Sequence, residues 1–152
     1  MTKQNGLPVE CVRAGDYLSR VRRLEEEVAL KCQYLNTLRA ELPGFSPHER
    51  VTGGDTADST AHRAVKIAEL REEIAGLYHA IDHARRETEL LLRTLPDTRV
   101  RTLLEMRYLG GYKWDTIADA MFVTPRSALR MHQKALKTVH VLLSERRAQQ
   151  MK

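Results

Sequence analysis

The 152-residue chain holds only two cysteines, Cys11 and Cys32, with no short C-x-x-C spacing between them. So few thiols, without that spacing, fit a reducing compartment. Long apolar runs are also missing: nothing approaches the roughly 18 consecutive apolar residues that a membrane span requires, and the apolar positions recur at helical spacing instead. No membrane partner is expected. The polar N-terminus lacks a secretory apolar region, so the expected compartment is a reducing cytoplasm. G-x-S-x-G, P-loop, H-E-x-x-H and dinucleotide fingerprints are absent as well. No enzyme activity, catalytic residue or cofactor is expected.

What is present suits a soluble helical protein. A hydrophobic share of 42% beside 30% charged residues can offset the entropy of ordering a chain, which a disordered tail cannot. The net charge of +5 is unevenly placed. Residues 1–94 carry 14 Lys/Arg against 15 Asp/Glu, a balance of −1, whereas residues 95–152 carry 11 against 5, a balance of +6. A basic segment carried on a neutral one fits a nucleic-acid reader on a non-binding element, and it is also what a solvated basic face would look like.

Residues 1–13, with Gly6 and Pro8, show no clear period and read as a loose lead-in. From Tyr17 the pattern changes: Tyr17, Val21, Leu24, Val28, Leu35, Leu38 and Leu42 alternate steps of four and three, broken only at Lys31. That spacing predicts one long helix with a narrow apolar stripe, about 39 Å long over residues 17–42 at ~1.5 Å per residue. The stretch PGFSPHERVTGGDT, residues 43–56, holds two prolines and three glycines and must end it. Periodicity resumes at Ile67, Leu70, Ile74, Leu77, Ile81, Ala84, Thr88, Leu91 and Leu95, and stops at Pro96. The expected arrangement is a long antiparallel, coiled-coil-like helical hairpin over residues 1–94. Two helices of this length leave apolar surface uncovered, Leu90 and Leu92 lie off the main seam, and so the hairpin is also expected to oligomerise, as a dimer or tetramer. Val21, Leu24, Val28, Leu35, Leu38, Ile67, Leu70, Ile74, Leu77 and Ile81 are the residues expected to serve it.

Residues 95–152 form the second expected domain. Val100, Leu103, Leu104 and Tyr108 share one helical face, and Gly110 and Gly111 can terminate it. In WDTIADAM, the residues Trp114, Ile117, Ala118 and Met121 form an inward face. A third helix should begin at Pro125 with Thr124 as its cap, only three residues after the previous one ends. Two helices joined by so short a turn have helix-turn-helix spacing, in which the second helix enters the major groove of DNA. Its inner positions read as Leu129, His132, Ala135, Leu136 and Val139, and its outer ones as Arg126, Ser127, Arg130, Lys134 and Lys137. No Asp or Glu occurs in residues 125–144. The expected fold class is therefore all-α, a hairpin followed by a helix-turn-helix domain.

The run RYLGGYKWDTIADAMFVTPRSALRMHQKAL resembles the promoter-reading region of bacterial sigma factors, through Arg107, Tyr108, Gly111, Trp114, Ile117, Ala118, Leu129, Ala135 and Leu136. The whole layout resembles small phage-encoded transcriptional regulators of the ArpU/RinA type, with a sigma region-4-like helix-turn-helix. The resemblance implies a sequence-specific transcription regulator in a bacterial host cell, with double-stranded DNA as partner and host RNA polymerase at the promoter. Taken with side-chain chemistry it assigns Arg126, Ser127 and Arg130 to base edges, and Lys113, Thr124, Lys134 and Lys137 to phosphates. Tyr108, Trp114, Ile117, Ala118, Leu129, Ala135 and Leu136 would be the module core. The sequence departs from the family at Phe122, where the turn usually has glycine. Either the turn is built differently or Phe122 is a buried plug.

Other constellations read more simply. His79 and His83, with Asp82, lack a third and fourth ligand nearby and belong to a solvated helix face, so no metal is expected. Glu25, Glu26 and Glu27 share an exposed face with Arg22 and Arg23. His132 reads as a half-buried packing residue. Two other readings of the chain are a small terminase-like DNA-packaging protein, which a ring of subunits would favour, and an adaptor or inhibitor that binds polymerase or another host protein without DNA.

Overall fold

A computed structural model describes residues 8–41 and 55–152, the side chains of residues 55–57 aside. The described residues are helical throughout, with no strand: α1 (Val9–Leu18), α2 (Arg20–Ala40), α3 (Asp55–Arg93), α4 (Thr98–Leu104), a π-helical turn (Glu105–Leu109), α5 (Trp114–Met121) and α6 (Pro125–Gln150). Leu42 and most of the expected linker, residues 43–54, lie outside the described residues; Asp55 and Thr56 already belong to α3. None of the described helices is long and apolar enough to cross a membrane.

The chain divides into two compact units, and the division does not fall at residue 94. Among the described residues, one unit joins those up to Arg23 with His83–Lys152, and the other is Leu24–Asp82. The reason is the core of the first unit. Cys11, Ala14 and Leu18 of α1 and Leu91 and Leu92 of α3 are buried with Leu95, Leu103, Leu104, Ile117, Ala118, Ala128, Ala135, Leu136 and Val139. The lead-in expected to be loose is thus a helix over most of its described part. Its buried side, Cys11, Ala14 and Leu18, follows steps of three and four, and the Cys11 thiol faces the carbonyl of Gln133 at 3.7 Å. Leu92, expected to lie off the seam, is fully buried here, while Leu90 is exposed.

The single helix expected from Tyr17 is two. Ser19 separates α1 from α2, although its backbone stays right-handed at φ −75° and ψ −8°. Arg20, just beyond, gathers this corner of the first unit. Its guanidinium stacks 4.0 Å over the Tyr17 ring, pairs with Glu87 at 2.8 Å and donates to the Ala84 carbonyl at 3.3 Å. Thr88 is the buried polar residue of this region, and its hydroxyl is satisfied by donating to the Ala84 carbonyl at 2.8 Å.

In the second unit α2 and α3 pack along their stripes. Val28, Leu35 and Leu38 are buried with Ile67, Leu70 and Ile74, and Cys32, Leu77 and Ile81 lie half-buried against them. Lys31, the polar break in the stripe, pairs with Glu73 at 2.8 Å, and Arg63 donates to the Glu41 carbonyl at 2.9 Å. Rising numbers on α2 meet falling numbers on α3, so the two helices run antiparallel. The seam side chains expected to serve oligomerisation are accordingly covered within one chain: Val21, Val28, Leu35, Leu38, Ile67, Leu70 and Ile74 are buried, with Leu24, Leu77 and Ile81 half-buried. What this unit leaves exposed is Leu30, Tyr34, Val65 and Tyr78.

Candidate nucleic-acid interface

The candidate interface is built on the last three helices. Asp97 caps α4, its carboxylate accepting from the backbone N–H of Arg99 at 2.9 Å and of Val100 at 3.4 Å. The helix then widens into the π turn, closed by Gly110 N–H donating to the Glu105 carbonyl at 2.9 Å. Both glycines that follow are required. A Cβ on Gly110 would sit 2.9 Å from the Met106 carbonyl oxygen, and Gly111 has φ +70°. Arg107 braces the exit: it donates to the Tyr112 carbonyl at 3.0 Å and stacks 4.9 Å from the Trp114 ring.

Helix α5 buries Ile117 and Ala118 and then ends in a Schellman motif. Phe122 N–H donates to the Asp119 carbonyl at 3.2 Å and Val123 N–H to the Ala118 carbonyl at 3.0 Å. The residue in the left-handed position is Phe122, at φ 56° and ψ 42°. It is 95% exposed, so neither expectation for it holds. The turn has the geometry that glycine ordinarily serves, and the ring is no plug. From the first turn of α4, Arg99 donates to the Met121 carbonyl at 3.1 Å and so supports the same helix end.

Helix α6 starts at Pro125 with Thr124 as N-cap, its Oγ1 accepting from Ser127 N–H at 3.1 Å. The Thr124 hydroxyl donates in turn to Ser127 Oγ at 2.9 Å. Two of the three side chains expected to reach DNA from this turn, Thr124 and Ser127, are therefore also engaged in the cap. Beyond it, Ala128, Ala135, Leu136 and Val139 are buried, with Met131 and His132 half-buried between them. Leu129, expected in the core, is 46% exposed. Ala128, one residue earlier, takes the inward position instead and is fully buried. Arg126, Arg130, Lys134 and Lys137 are exposed along one side, and Leu129 and Gln133 lie among them on the first turns. Sequence reasoning missed both as surface residues. Lys113 is exposed immediately before α5.

Behind this face lies a polar-aromatic core. Tyr108 Oη stands 2.6 Å from His132 Nε2, and the Trp114 ring packs 4.6 Å from the imidazole. Burial, with a smaller contribution from the Arg107 charge, pushes the His132 pKa down to about 4. Burial raises the Tyr108 phenol to about 12. With the imidazole neutral and the phenol protonated, the hydrogen-bonded pair joins the π turn to α6 without buried charge.

His79 and His83 do not gather further ligands. His83 lies 3.5 Å from Glu87, and no cluster of three or more His, Cys, Asp or Glu side chains that could hold a metal occurs among the described residues. Cys11 and Cys32 are both free thiols. Compared with protein-family models, curated proteins and solved structures, the chain matches none.

Proposed function

We propose that the chain is a sequence-specific DNA-binding transcriptional regulator of the phage-encoded ArpU/RinA type, acting at promoters with host RNA polymerase rather than as an enzyme. In this reading α5, the Phe122 turn and α6 are a helix-turn-helix with α6 as recognition helix, and α2 and α3 form a hairpin that brings copies together on paired half-sites. The observation that carries it is the two-sidedness of α6. One side is buried against the module, and the other presents Arg126, Arg130, Lys134 and Lys137 from a stretch without a single acid. A solvated basic face does not need its opposite side built into a core by a capped helix three residues after the preceding one.

Roles follow from reach and chemistry. Arg126 and Arg130, on the first turns, are suited to guanine edges, and exposed Leu129 between them is suited to a thymine methyl group. Ser127 offers one further adaptable donor beside its cap bond. Lys134 and Lys137, farther along, with Lys113 and Thr124 at the two helix starts, would meet phosphates.

Binding to random-sequence and candidate promoter duplexes at two salt concentrations tests the proposal, because phosphate attraction collapses with salt and base reading does not. A preference for one sequence that survives high salt is expected. Arg130→Ala should then cost about 1–3 kcal/mol at one base position and relax preference there; equal weakening on every duplex would remove Arg130 from the reading set. Failure to bind either duplex would overturn the proposal in favour of a protein-binding adaptor.

A further inference from the structure

The outer face of α6 uses the beginning of that helix; its far end forms a different feature within the same compact unit. A cavity of about 300 Å³ lies between α1, α3 and the C-terminal turns of α6, at the lower end of the range of small-ligand sites. Arg13 and Tyr17 of α1, Glu87 of α3, and His140, Arg146 and Arg147 of α6 contribute to its walls. The three guanidiniums form no ion pair or side-chain hydrogen bond among the described residues. Glu87, the one acid of the lining, is held by Arg20 at 2.8 Å and lies 3.5 Å from His83. Three positive side chains with no ion pair among the described residues thus line a concavity whose single carboxylate is engaged by Arg20.

Like charges at one concave place repel, and in a cleft with low-dielectric walls their field is focused rather than dispersed. The group that relieves them best is a multivalent oxyanion, and the planar guanidinium fork bonds phosphate oxygens two at a time. We propose that this cavity binds a phosphate-bearing small molecule, its phosphate held by Arg13, Arg146 and Arg147 with His140 at the rim. Free compounds and the DNA backbone both carry phosphate, and position on α6 separates them. Ser144, also in the lining, comes 18 residues after Arg126, about 27 Å along the axis at ~1.5 Å per residue. A helix that reads base edges with its first turns carries this cavity about five turns beyond them. The ligand is therefore a free phosphate compound. The choice of a free compound over DNA rests on the proposed reading of α6 as recognition helix; the binding of phosphate itself does not.

The probes are inorganic pyrophosphate and ADP, titrated into the full chain by calorimetry with backbone amide spectra recorded in parallel. One saturable site per chain is expected, with amide shifts at residues 140–150 and beside Arg13. Arg13→Gln combined with Arg147→Gln should weaken it at least tenfold, whereas Arg126→Gln with Arg130→Gln should leave it unchanged; all four side chains are exposed, so both double variants should keep the parent helical signal. Absence of saturable binding at millimolar probe, or equal loss in the two double variants, overturns the site. Loss of duplex affinity in the Arg13→Gln, Arg147→Gln variant as large as its loss of pyrophosphate affinity would assign the phosphate to DNA and overturn the free-ligand reading.

Discussion

Phe122 holds a left-handed backbone with its ring in solvent, so it bears the strain of a β-carbon at positive φ without burial to offset it. Phe122→Gly should therefore stabilise the protein by about 1 kcal/mol, reduced by the extra freedom glycine adds to the unfolded chain. Thermal unfolding reads this directly; a lower midpoint would mean that the ring makes contacts in solution that its exposure hides. Sequence could show that a bulky residue occupied the turn, but not that the backbone would keep its usual shape. The Schellman bonds of Phe122 and Val123 to the last turn of α5 decide that. Leu129 and Ala128 carry the same lesson. By sequence the leucine takes the inward position, and the structure buries the smaller neighbour in the core instead. At His132 the sequence suggested packing, and the neighbours now give a pH dependence. Its folded pKa of about 4 lies below the unfolded value of 6.5. Between those values the unfolded chain binds the extra proton, so stability from this group is full above pH 6.5 and is lost as pH falls toward 4, by at most about 1.4 kcal/mol per pH unit. Unfolding midpoints at pH 7 and pH 5 should differ more for the parent than for His132→Gln; identical differences would show that other groups set the acid sensitivity.

At the scale of elements, start signals were the most legible feature. Thr124 before Pro125 announced α6 because a cap is a local device: two hydrogen bonds at Ser127 and a fixed φ need no distant partner. Thr124→Ala should accordingly cost about 1 kcal/mol and loosen the first turn of α6, lowering both the melting temperature and amide protection at Arg126 and Ser127. Unchanged protection would mean that Pro125 alone sets the start. The α2 and α3 stripes were equally readable, down to the break at Lys31, which the cross-helix bond to Glu73 accommodates. That bond raises the Lys31 pKa and lowers that of Glu73, so both remain charged. What remained hidden was α1 and the break at Ser19. A helix of ten residues is marginal alone, and α1 is held by tertiary burial of Cys11, Ala14 and Leu18, residues too small or too few to mark a period. The π turn at Glu105–Leu109 was hidden too, because it depends on where Arg107 and Gly110 must meet Tyr112 and Trp114.

For the whole molecule, the division at Arg23/Leu24 and Asp82/His83 changes how self-association must be tested. The sequence placed one boundary at residue 94 because charge and periodicity both change there, but burial groups residues by what they touch. The first unit therefore takes α1 and the end of α3 for its own core. The seam residues of α2 and α3, occupied with one another, are then poor probes of oligomerisation. Leu35→Ala removes a buried side chain and should cost about 2–5 kcal/mol of stability whether or not copies associate. Leu30 and Tyr34, four residues apart on one exposed face of α2 at 67% and 47% exposure, are the informative pair. If the proposed regulator binds paired half-sites, sedimentation at tens of micromolar should show a dimer or tetramer. Leu30→Glu with Tyr34→Glu should shift it to monomer with the helical signal intact, and duplex affinity should fall because the second module no longer adds its effective concentration. A parent chain that sediments as a monomer would remove oligomerisation from the mechanism. A double variant that stays dimeric would instead move the contact to Val65, Tyr78 or Leu90, the other large apolar side chains that α3 leaves exposed.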